Sequence, residues 1–541
     1  MDRFAALLDR LILTPQRNGK LDHMVQYFQH VPDPARGWSL AALAGELSIP
    51  GVKASAIRSL VEARIDPVLF ALSYDYVGDL AETVSLVWPG ATGTNRAPPI
   101  EDVVPALMEA SRSEGERLVE GWLNDLDPPG RWALLKLVTG GLRIGVSARL
   151  TKTALARFGE VDVAEIEEIW HGLAPPYEGL FAWLEGRAPR PNPQIDAPFR
   201  PVMLAHPLVA KDQRDDPDAV DPDLIRGENF AAEWKYDGIR VQAVSEAGVR
   251  RIYTRTGDDI SHTFPDVLAA MNFDAALDGE LLVRSADGST APFNALQQRL
   301  NRKTVSKRQM EDRPAFIRVY DALAIGEEDL RSLAFRERRA RLETFVSGLE
   351  TDRFDLSPLV ELTDLDALEA ARNAPPAPEI EGLMLKRWDS PYLAGRPKGH
   401  WYKWKRDPFL IDAVLLYAQR GHGKRSSFYS DFTFGVWREG DGGDVLTPVG
   451  KAYFGFTDEE LKQLDGFVRD HTIERFGPVR AVTANAETGL VLEVAFEGLQ
   501  RSPRHKSGIA MRFPRINRIR WDKPTREADR LETLEALLPS E

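Results

Sequence analysis

The sequence predicts a multidomain chain with an all-α first part, an α+β middle part and a β-barrel last part. Three observations support this order: apolar residues recur with helical spacing near the start, prolines concentrate after residue 187, and short alternating strands follow. A chain of 541 residues is too long for one ordinary core, so several domains are expected. The predicted parts are 1–190, a proline-rich linker at 191–201, then 202–406 and 407–541.

The first part is predicted to be helical because its apolar residues fall on one helix face. Phe4, Leu7, Leu8 and Leu11 stand at positions i, i+3, i+4 and i+7. The stretch 187–201 then carries five prolines. Such a run cannot continue a helix, so we predict a linker there.

The middle part mixes predicted strands and helices. Alternating apolar residues predict strands at 230–234 and 239–243, and a helix is predicted over 336–349. From about Asp407 the chain is rich in short strands again, which is typical of a small β-barrel such as an OB-fold. The periodicity alone does not distinguish that barrel from another.

Composition excludes several classes of protein. Cysteine is absent, so disulfides, cysteine zinc sites and thiol nucleophiles are excluded. The net charge of −13 argues against a generally basic coat for nucleic acid, although a local basic surface remains possible. No apolar stretch suggests a signal peptide or a membrane span, so we expect a cytoplasmic protein without a membrane partner.

The most informative segment is residues 233–240, Glu-Trp-Lys-Tyr-Asp-Gly-Ile-Arg. It places Lys235 in a tight turn between two predicted strands, because Asp237-Gly238 suits a turn of unusual backbone conformation. An ordinary Asp-Gly hairpin with an exposed lysine would explain this segment equally well.

The pattern K-x-D-G-x-R at 235–240 resembles the first motif of the covalent nucleotidyltransferases, which are DNA ligases, RNA ligases and mRNA capping enzymes. Six further segments resemble the other motifs in the family's order: 254–257, 278–280, 320–321, 381–386, 401–405 and 512–515. Each has an ordinary alternative, such as a hairpin turn at 278–279, a strand-edge charge at Glu381 or a core tyrosine at 320. Seven matches in order leave little room for chance.

The chemistry of such enzymes requires these residue types. A lysine must be neutral to attack the α-phosphate of ATP, so we expect nearby cations or desolvation to disfavour the charged form of Lys235. Lys403 and Lys405 would supply those cations and would also neutralise charge on the phosphoryl oxygens. Glu280 and Glu381 offer hard oxygen ligands that suit Mg²⁺ or Mn²⁺.

The resemblance implies roles for further residues. Glu233 would read the adenine edge, Tyr320 would stack on adenine, and Glu280 would contact the ribose as well as the metal. Four arginines would hold the sugar, a phosphate or the pyrophosphate: Arg240, Arg255, Arg396 and Arg515. DNA ligases usually carry an arginine six residues before Lys403, where this chain has Pro397, so either Arg396 or Lys398 would replace it.

The flanking regions favour DNA as the substrate. Residues 140–145, Gly-Gly-Leu-Arg-Ile-Gly, resemble the DNA-binding domain of eukaryotic and archaeal replicative DNA ligases, and 421–425 resemble a basic loop of the ligase OB-fold. The predicted DNA contacts are Arg143, Arg149, Lys152, Lys424 and Arg425. A helix C-cap with solvated arginines is the ordinary alternative for the first of these segments.

The resemblance covers nearly the whole chain. It implies a DNA-binding domain at 1–190, an adenylation domain at 202–406 and an OB-fold domain at 407–541, as in a compact replicative-type DNA ligase without a long N-terminal extension. It also implies ATP as cosubstrate, nicked double-stranded DNA as partner, a monomer that encircles the DNA, and association with the nucleoid. Two alternatives are a capping enzyme that uses GTP and an inactive DNA-encircling scaffold.

Overall fold

The computed structural model describes residues 1–47, 49, 52–77, 79–90, 97–139, 141–192, 196–208, 229–300, 302, 305–361, 365–420, 428–440, 442–503 and 505–538. The chain divides into two compact units. The first comprises Met1–Val161, Ala174–Arg190 and Pro408–Glu541, and the second comprises Asp162–Leu173 and Pro191–Asp407. The predicted domain boundaries stay a prediction.

The first part of the chain is helical, as its apolar spacing predicts. Phe4, Leu7, Leu8 and Leu11 are all buried on one face of the first helix. The helices of this part are α1 (Asp2–Leu13), α2 (Arg17–His30), α3 (Ala35–Ala44), α4 (Ala54–Glu62), α5 (Pro67–Val77), α6 (Leu80–Val87), α7 (Ile100–Glu109), α8 (Arg112–Asp125), α9 (Pro128–Val138), α10 (Ala148–Gly159), α11 (Val163–Trp170) and α12 (Glu178–Leu184).

A buried arginine connects α3 to the end of α12 within the first unit. Arg36 is 5% exposed, and its Nη1 and Nη2 atoms donate to the two carboxylate oxygens of Glu185 at 2.6 and 3.0 Å. Its guanidinium also lies 4.2 Å from the centroid of the Phe181 ring. This ion pair joins residues that are 149 positions apart.

The second unit is built on two sheets. Its strands are β1 (His206–Pro207), β2 (Phe230–Tyr236), β3 (Ile239–Glu246), β4 (Val249–Thr254), β5 (Ala275–Val283), β6 (Ala315–Ile325), β7 (Glu328–Asp329), β8 (Phe354–Leu356), β9 (Leu359–Val360), β10 (Ile380–Arg387) and β11 (Trp401–Lys405). Its further helices are α13 (Pro265–Ala270), α14 (Phe293–Leu300), α15 (Lys307–Asp312), α16 (Phe335–Ser347) and α17 (Leu365–Asn373).

The two sheets pack against each other. One has the order β1-β11-β10-β2-β9, and the other has the order β4-β3-β5-β6-β7 with β8 beside β6. Val244, Ala276 and Leu323 from the second sheet share a buried cluster with Trp401 from the first. The alternating apolar residues that predict the two strands lie in separate buried clusters, with Phe230 and Ala232 of β2 in one and Val241 and Ala243 of β3 in another.

Helix α11 belongs to the second unit, although its neighbours in sequence belong to the first. The ring of His171, just after α11, packs against Phe199 at 5.3 Å and Tyr253 at 5.7 Å between centroids. Glu168 of the same helix forms an ion pair of 3.3 Å with Arg331. The sequence assigns residues 162–173 to the helical part, and the structure packs them on the sheets.

The last part of the chain is rich in strands, as predicted. The order β14-β13-β12-β16-β15 is extended by β17, which pairs with both β12 and β20, and β18 pairs with β19. Phe432, Phe434 and Phe496 lie in its buried core. The elements are β12 (Phe409–Arg420), β13 (Tyr429–Gly440), β14 (Gly443–Ala452), α18 (Asp458–His471), β15 (Thr472–Phe476), β16 (Val479–Val482), β17 (Val491–Phe496), β18 (Gly498–Arg501), β19 (Ile509–Arg512), β20 (Arg515–Arg520) and α19 (Leu531–Glu535).

Among the described residues, no helix combines the length and the apolar character that crossing a membrane requires.

Candidate active site

The strand register places the predicted lysines on one face of the first sheet. Lys235 on β2 stands opposite Gly382 on β10, which stands opposite Lys405 on β11. In the neighbouring row, Glu233 stands opposite Met384, and Met384 stands opposite Lys403. Because alternate residues of a strand share a face, these side chains project to the same side.

A β-bulge brings Glu381 to that face. The pairing of β10 with β2 shifts between Ile380 and Gly382, and Gly382 has a φ of +147°. A Cβ atom at Gly382 would lie 2.2 Å from the carbonyl oxygen of Trp404, so only glycine fits there. Bulges redirect side chains at a strand, and this one accounts for the orientation of Glu381.

Glu381 binds two of the predicted lysines. The Nζ atom of Lys235 donates a hydrogen bond of 2.5 Å to Oε2 of Glu381, and Nζ of Lys405 lies 3.4 Å from the same oxygen. The side chain of Lys235 is 24% exposed. The lysine is therefore enclosed beside the acids and is not directed into open solvent.

The charges around Lys235 differ from the expectation. Burial disfavours its ammonium form, but Glu381 and Glu280 outweigh burial and raise the pKa of Lys235. The expectation that nearby cations or desolvation disfavour the charged form of Lys235 is therefore correct for the effect of burial and wrong for the net shift of the pKa, which is upward. The reason is that Glu381 lies 2.5 Å from the amine, which the sequence alone could not indicate.

The two acids are affected in opposite directions. Burial raises the pKa of Glu280 to about 8, although Lys235 and Arg240 oppose this. Burial also acts on Glu381, but Lys235 and Lys405 outweigh it and lower the pKa of Glu381 to about 2. Glu381 is therefore the charged partner of the lysines, whereas Glu280 is a more readily protonated neighbour.

The predicted cluster of cations is centred on Lys403. Burial lowers the pKa of Lys403, and the charges of Lys405, Arg396, Lys235 and Arg255 lower it further. Arg396 and Arg255 are exposed residues on different loops, yet both act on this lysine. Of the two candidates for the displaced arginine, this observation favours Arg396.

The second sheet contributes a group of side chains around the fully buried Asp278. Arg240 donates to its two carboxylate oxygens at 3.0 and 2.6 Å. The hydroxyls of Tyr320 and Tyr392 donate to the same carboxylate at 3.2 and 2.6 Å. Tyr320 lies where the pairing of β5 with β6 shifts, so a second bulge sets its direction.

Tyr392 was not predicted from the sequence. Its hydroxyl also accepts a hydrogen bond of 3.2 Å from Nη2 of Arg240, and its side chain is buried. It lies in a loop after β10, outside every motif, so no spacing in the sequence could have indicated it.

Glu233 is buried in a further ionic network. Its Oε1 accepts from Nη1 of Arg339 at 2.9 Å, and its Oε2 lies 2.5 Å from Nζ of Lys386. Lys386 also donates to the backbone oxygen of Tyr320 at 3.0 Å. Arg339 is likewise outside the motifs, and the predicted adenine contact of Glu233 stays a prediction.

The donor set near Lys235 fits a hard divalent cation. Glu280 and Glu381 both act electrostatically on Lys235 and offer carboxylate oxygens, which Mg²⁺ prefers. Within the described part of the chain, no group of three or more acids, histidines or cysteines could hold a metal ion. Mg²⁺ is commonly held by one or two carboxylates together with substrate phosphates, so two acids are compatible with it.

The remaining predicted residues that the structure describes belong to the first unit. Arg515 is on β20 in the first unit, 4.0 Å from Glu497. Arg143 and Arg149 are exposed near the start of α10, whereas Lys152 on that helix is 7% exposed. Lys424 and Arg425 lie outside the described residues. The DNA contacts of these five residues stay predictions.

Two family models match the chain. Residues 210–405 match the model described as "ATP dependent DNA ligase domain", and residues 425–523 match "ATP dependent DNA ligase C terminal region". The first match spans the motifs from Lys235 to Lys405, and the second includes Arg515.

Similar sequences and a similar solved structure extend this finding. The chain is 31% identical over 499 residues to a "Probable DNA ligase" of Koribacter versatilis, covering 87% of this chain and 83% of that protein. It is 34% identical over 439 residues to a "DNA ligase" of Methanoculleus marisnigri, covering 79% and 75%. The solved structure "Pmar-Lig_PreS3" matches with a TM-score of 0.59 and 14% identity over 96% of this chain and 99% of that one, which indicates a similar fold.

Proposed function

Because the chain belongs to the ATP-dependent DNA ligases, we propose that Lys235 is the residue that carries AMP while this enzyme seals nicks in duplex DNA. The enzyme joins a 5′-phosphate to a 3′-hydroxyl through a covalent lysine–AMP intermediate, as this family does. The observation that carries the assignment of Lys235 is its 2.5 Å contact with Glu381 beside Lys405.

The reaction proceeds in three steps. The neutral Nζ of Lys235 attacks the α-phosphorus of ATP, so a P–N bond forms, the bond to the bridging oxygen of pyrophosphate breaks, and the nitrogen releases one proton to water. A 5′-phosphate oxygen at the nick then attacks that phosphorus, and Lys235 leaves and regains a proton. Finally the 3′-hydroxyl attacks the 5′-phosphate and releases its proton to water, and AMP leaves as the phosphodiester forms.

The residues around Lys235 have separate roles in this proposal. Glu381 orients the amine of Lys235 and stabilises its ammonium form until ATP binds beside it. Lys403 and Lys405 supply positive charge to the phosphoryl oxygens as the bond to pyrophosphate lengthens. Glu280 and Glu381 are the residues that would hold Mg²⁺ or Mn²⁺, which when bound supplies further positive charge to phosphate oxygens.

The nucleoside of ATP would be held by residues from both sheets. Tyr320 offers an aromatic surface for adenine, and Glu233 would accept a hydrogen bond from its exocyclic amine. Arg240 is fixed by Asp278 and would hold the ribose or a phosphate, and Glu280 would accept from the ribose. Arg255 and Arg396 would hold a phosphate, and Arg515 would orient the pyrophosphate.

We further propose that the flanking parts hold the nicked duplex. Residues 1–190 would form the DNA-binding domain, 202–406 the adenylation domain and 407–541 an OB-fold domain. The three domains of one monomer would together encircle the DNA. Five basic residues would contact the duplex: Arg143, Arg149, Lys152, Lys424 and Arg425.

A single assay tests the proposed function. A singly nicked duplex is incubated with the full chain and with ATP, GTP or NAD supplied separately, and sealing is followed on a denaturing gel. We expect sealing with ATP alone. Covalent labelling of the chain by α-labelled GTP in place of ATP would support the capping-type alternative, and tight nick binding without any AMP transfer would support the inactive scaffold; either result overturns the proposal.

A further inference from the structure

Arg339 is a buried arginine whose three guanidinium nitrogens each donate a hydrogen bond. It lies on α16 and is 4% exposed. Its Nη1 donates to Glu233 at 2.9 Å, its Nη2 to the backbone oxygen of Ser357 at 2.8 Å, and its Nε to Glu343 at 2.7 Å. A helix, a strand and a loop thus fix this side chain in one position.

The network of Arg339 reaches both groups that the proposed function places against adenine. Glu233 shares its second carboxylate oxygen with Lys386 at 2.5 Å. The Nζ atom of Lys386 in turn lies 4.3 Å from the centroid of the Tyr320 ring and 3.0 Å from the Tyr320 backbone oxygen. A change at Arg339 is therefore transmitted to Glu233 directly and to Tyr320 through Lys386.

The charge of Glu233 determines what it can recognise. An ionised carboxylate only accepts hydrogen bonds, so it favours the exocyclic amine of adenine and disfavours the carbonyl oxygen of guanine at the equivalent position. A protonated carboxyl group can donate, so it loses this distinction. Burial raises the pKa of Glu233, and Lys386 and Arg339 counteract that rise.

We infer that Arg339 is a positioning residue that holds the Glu233 carboxylate in place and thereby sets the preference of this enzyme for adenine over guanine nucleotides. The inference rests on the proposed function, in which Glu233 contacts the base. Arg339 itself touches no reacting atom in this proposal, and its effect is exerted through Glu233.

The test compares nucleotide selectivity in three variants of the full chain. The formation of covalent lysine–nucleotide is measured against the concentration of α-labelled ATP and, separately, of α-labelled GTP. For Arg339→Met we expect the ratio of kcat/KM for ATP to that for GTP to fall at least tenfold, mainly through a higher KM for ATP. Arg339→Lys retains a cation beside Glu233, so its ratio should stay within about threefold of the unsubstituted enzyme.

Arg299→Met is the matched control. Arg299 is 2% exposed and forms a buried bidentate pair with Asp266 at 2.9 and 2.6 Å in the same unit, without contacting Glu233 or Lys386 in the described structure. This variant should lower thermal stability and leave the ATP-to-GTP ratio unchanged. If Arg339→Met is insoluble, Arg339→Gln is used, since its amide can still donate to Glu233 but carries no charge; we then expect at least a threefold fall in the ratio.

The outcomes separate the inference from the proposed function. An unchanged ratio in Arg339→Met, or in Arg339→Gln where that variant replaces it, overturns the inference, and so does an equal fall in Arg299→Met. If the unsubstituted enzyme forms no covalent nucleotide with ATP, the proposed function fails instead.

Discussion

The Nζ atom of Lys235 lies 2.5 Å from Oε2 of Glu381, a residue 146 positions further along the chain. The contact depends on the bulge before Gly382, which turns Glu381 to the face that carries Lys235. Since Lys405 binds the same oxygen, one carboxylate restrains two lysines. Whatever draws Glu381 away from Lys235 lowers the pKa of that amine and prepares it for attack.

We expect Lys235→Ala to abolish the formation of the covalent adenylate, because its amine forms the bond to AMP and an alanine side chain carries no nucleophile. Incubation with α-labelled ATP followed by a denaturing gel measures this. Lys307→Ala is the control, since Lys307 is 88% exposed in the same unit and should retain full labelling. Labelling of the Lys235→Ala variant equal to that of the control would contradict the assignment.

Charge reversal at Arg515 should impair adenylation more than the sealing of pre-adenylated nicks. Arg515 is proposed to orient pyrophosphate, which takes part only in the first step. We expect Arg515→Glu to slow adenylation about a hundredfold and to affect sealing of the pre-adenylated substrate much less. Arg475→Glu makes the same charge change at an exposed residue of β15 and should alter neither step. Equal losses in both assays would refute the role of Arg515.

Removing the hydroxyl of Tyr392 should weaken the group around Asp278. Tyr392→Phe removes the 2.6 Å hydrogen bond to Asp278 and the contact with Arg240, so we expect a loss of about 1 kcal/mol in the free energy of unfolding together with slower sealing. Tyr253→Phe also removes one buried hydroxyl, which donates to the Ala197 backbone at 2.9 Å, but leaves Arg240 untouched. Equal sealing rates for Tyr392→Phe and Tyr253→Phe would contradict the proposed role of the Tyr392 hydroxyl at the site.

Arg396 and Lys398 should differ in importance. The charge of Arg396 acts on Lys403, so we expect Arg396→Ala to reduce adenylation at least tenfold, whereas Lys398→Ala should leave it within about twofold. Adenylation rates of the two variants at saturating ATP measure this. The reverse order would assign the displaced arginine's role to Lys398.

The Arg36–Glu185 pair predicts a pH dependence of stability. Arg36 lowers the pKa of Glu185 to about 2 from its ordinary value of 4.5. A lowered pKa in the folded state means that the stabilisation is fully present above about pH 4.5 and is lost as the pH falls toward 2. Glu185→Gln should therefore cost on the order of 2 kcal/mol at pH 7, and the difference from the unsubstituted chain should shrink below pH 4.5.

Denaturant unfolding at several pH values measures that difference. Glu178→Gln, at an exposed position of α12, is the control and should show a small difference that does not vary with pH. A constant difference for Glu185→Gln between pH 7 and pH 3 would show that the ion pair does not stabilise the fold.

The spacing of apolar residues was sufficient to predict the helical first part and the two strands on either side of Asp237-Gly238. The prediction that Lys235 lies in the turn is wrong, because β2 continues to Tyr236 and Lys235 pairs with Gly382 inside the sheet. The motifs also identified Lys235, Glu280, Glu381, Lys403 and Lys405, which the structure brings together. Two features of the site could not be predicted from the sequence. The bulges at Glu381 and Tyr320 depend on how strands pair, and Arg339 and Tyr392 reach the site from a helix and a loop with no periodic signal of their own.

The net shift in the pKa of Lys235 was predicted incorrectly for a related reason, although burial acts in the predicted direction. The sequence shows cations two residues apart at Lys403 and Lys405, but it does not show which acid lies nearest to the amine. Only the register of β2 with β10 brings Glu381 into contact, and the effect of a charge falls steeply with distance in a partly buried site. The proximity of Glu381 to Lys235 in the folded chain therefore determined the direction of the pKa shift of Lys235.

The packing of α11 on the sheets has a practical consequence for dissecting the protein. Anyone who excises the catalytic module at the run of prolines would discard His171 and Glu168, leaving the rings of Phe199 and Tyr253 and the guanidinium of Arg331 without those neighbours. The same holds for chimeras that exchange modules between relatives at that point. A boundary placed upstream of Asp162 would keep α11 in the same fragment as the sheets on which it packs.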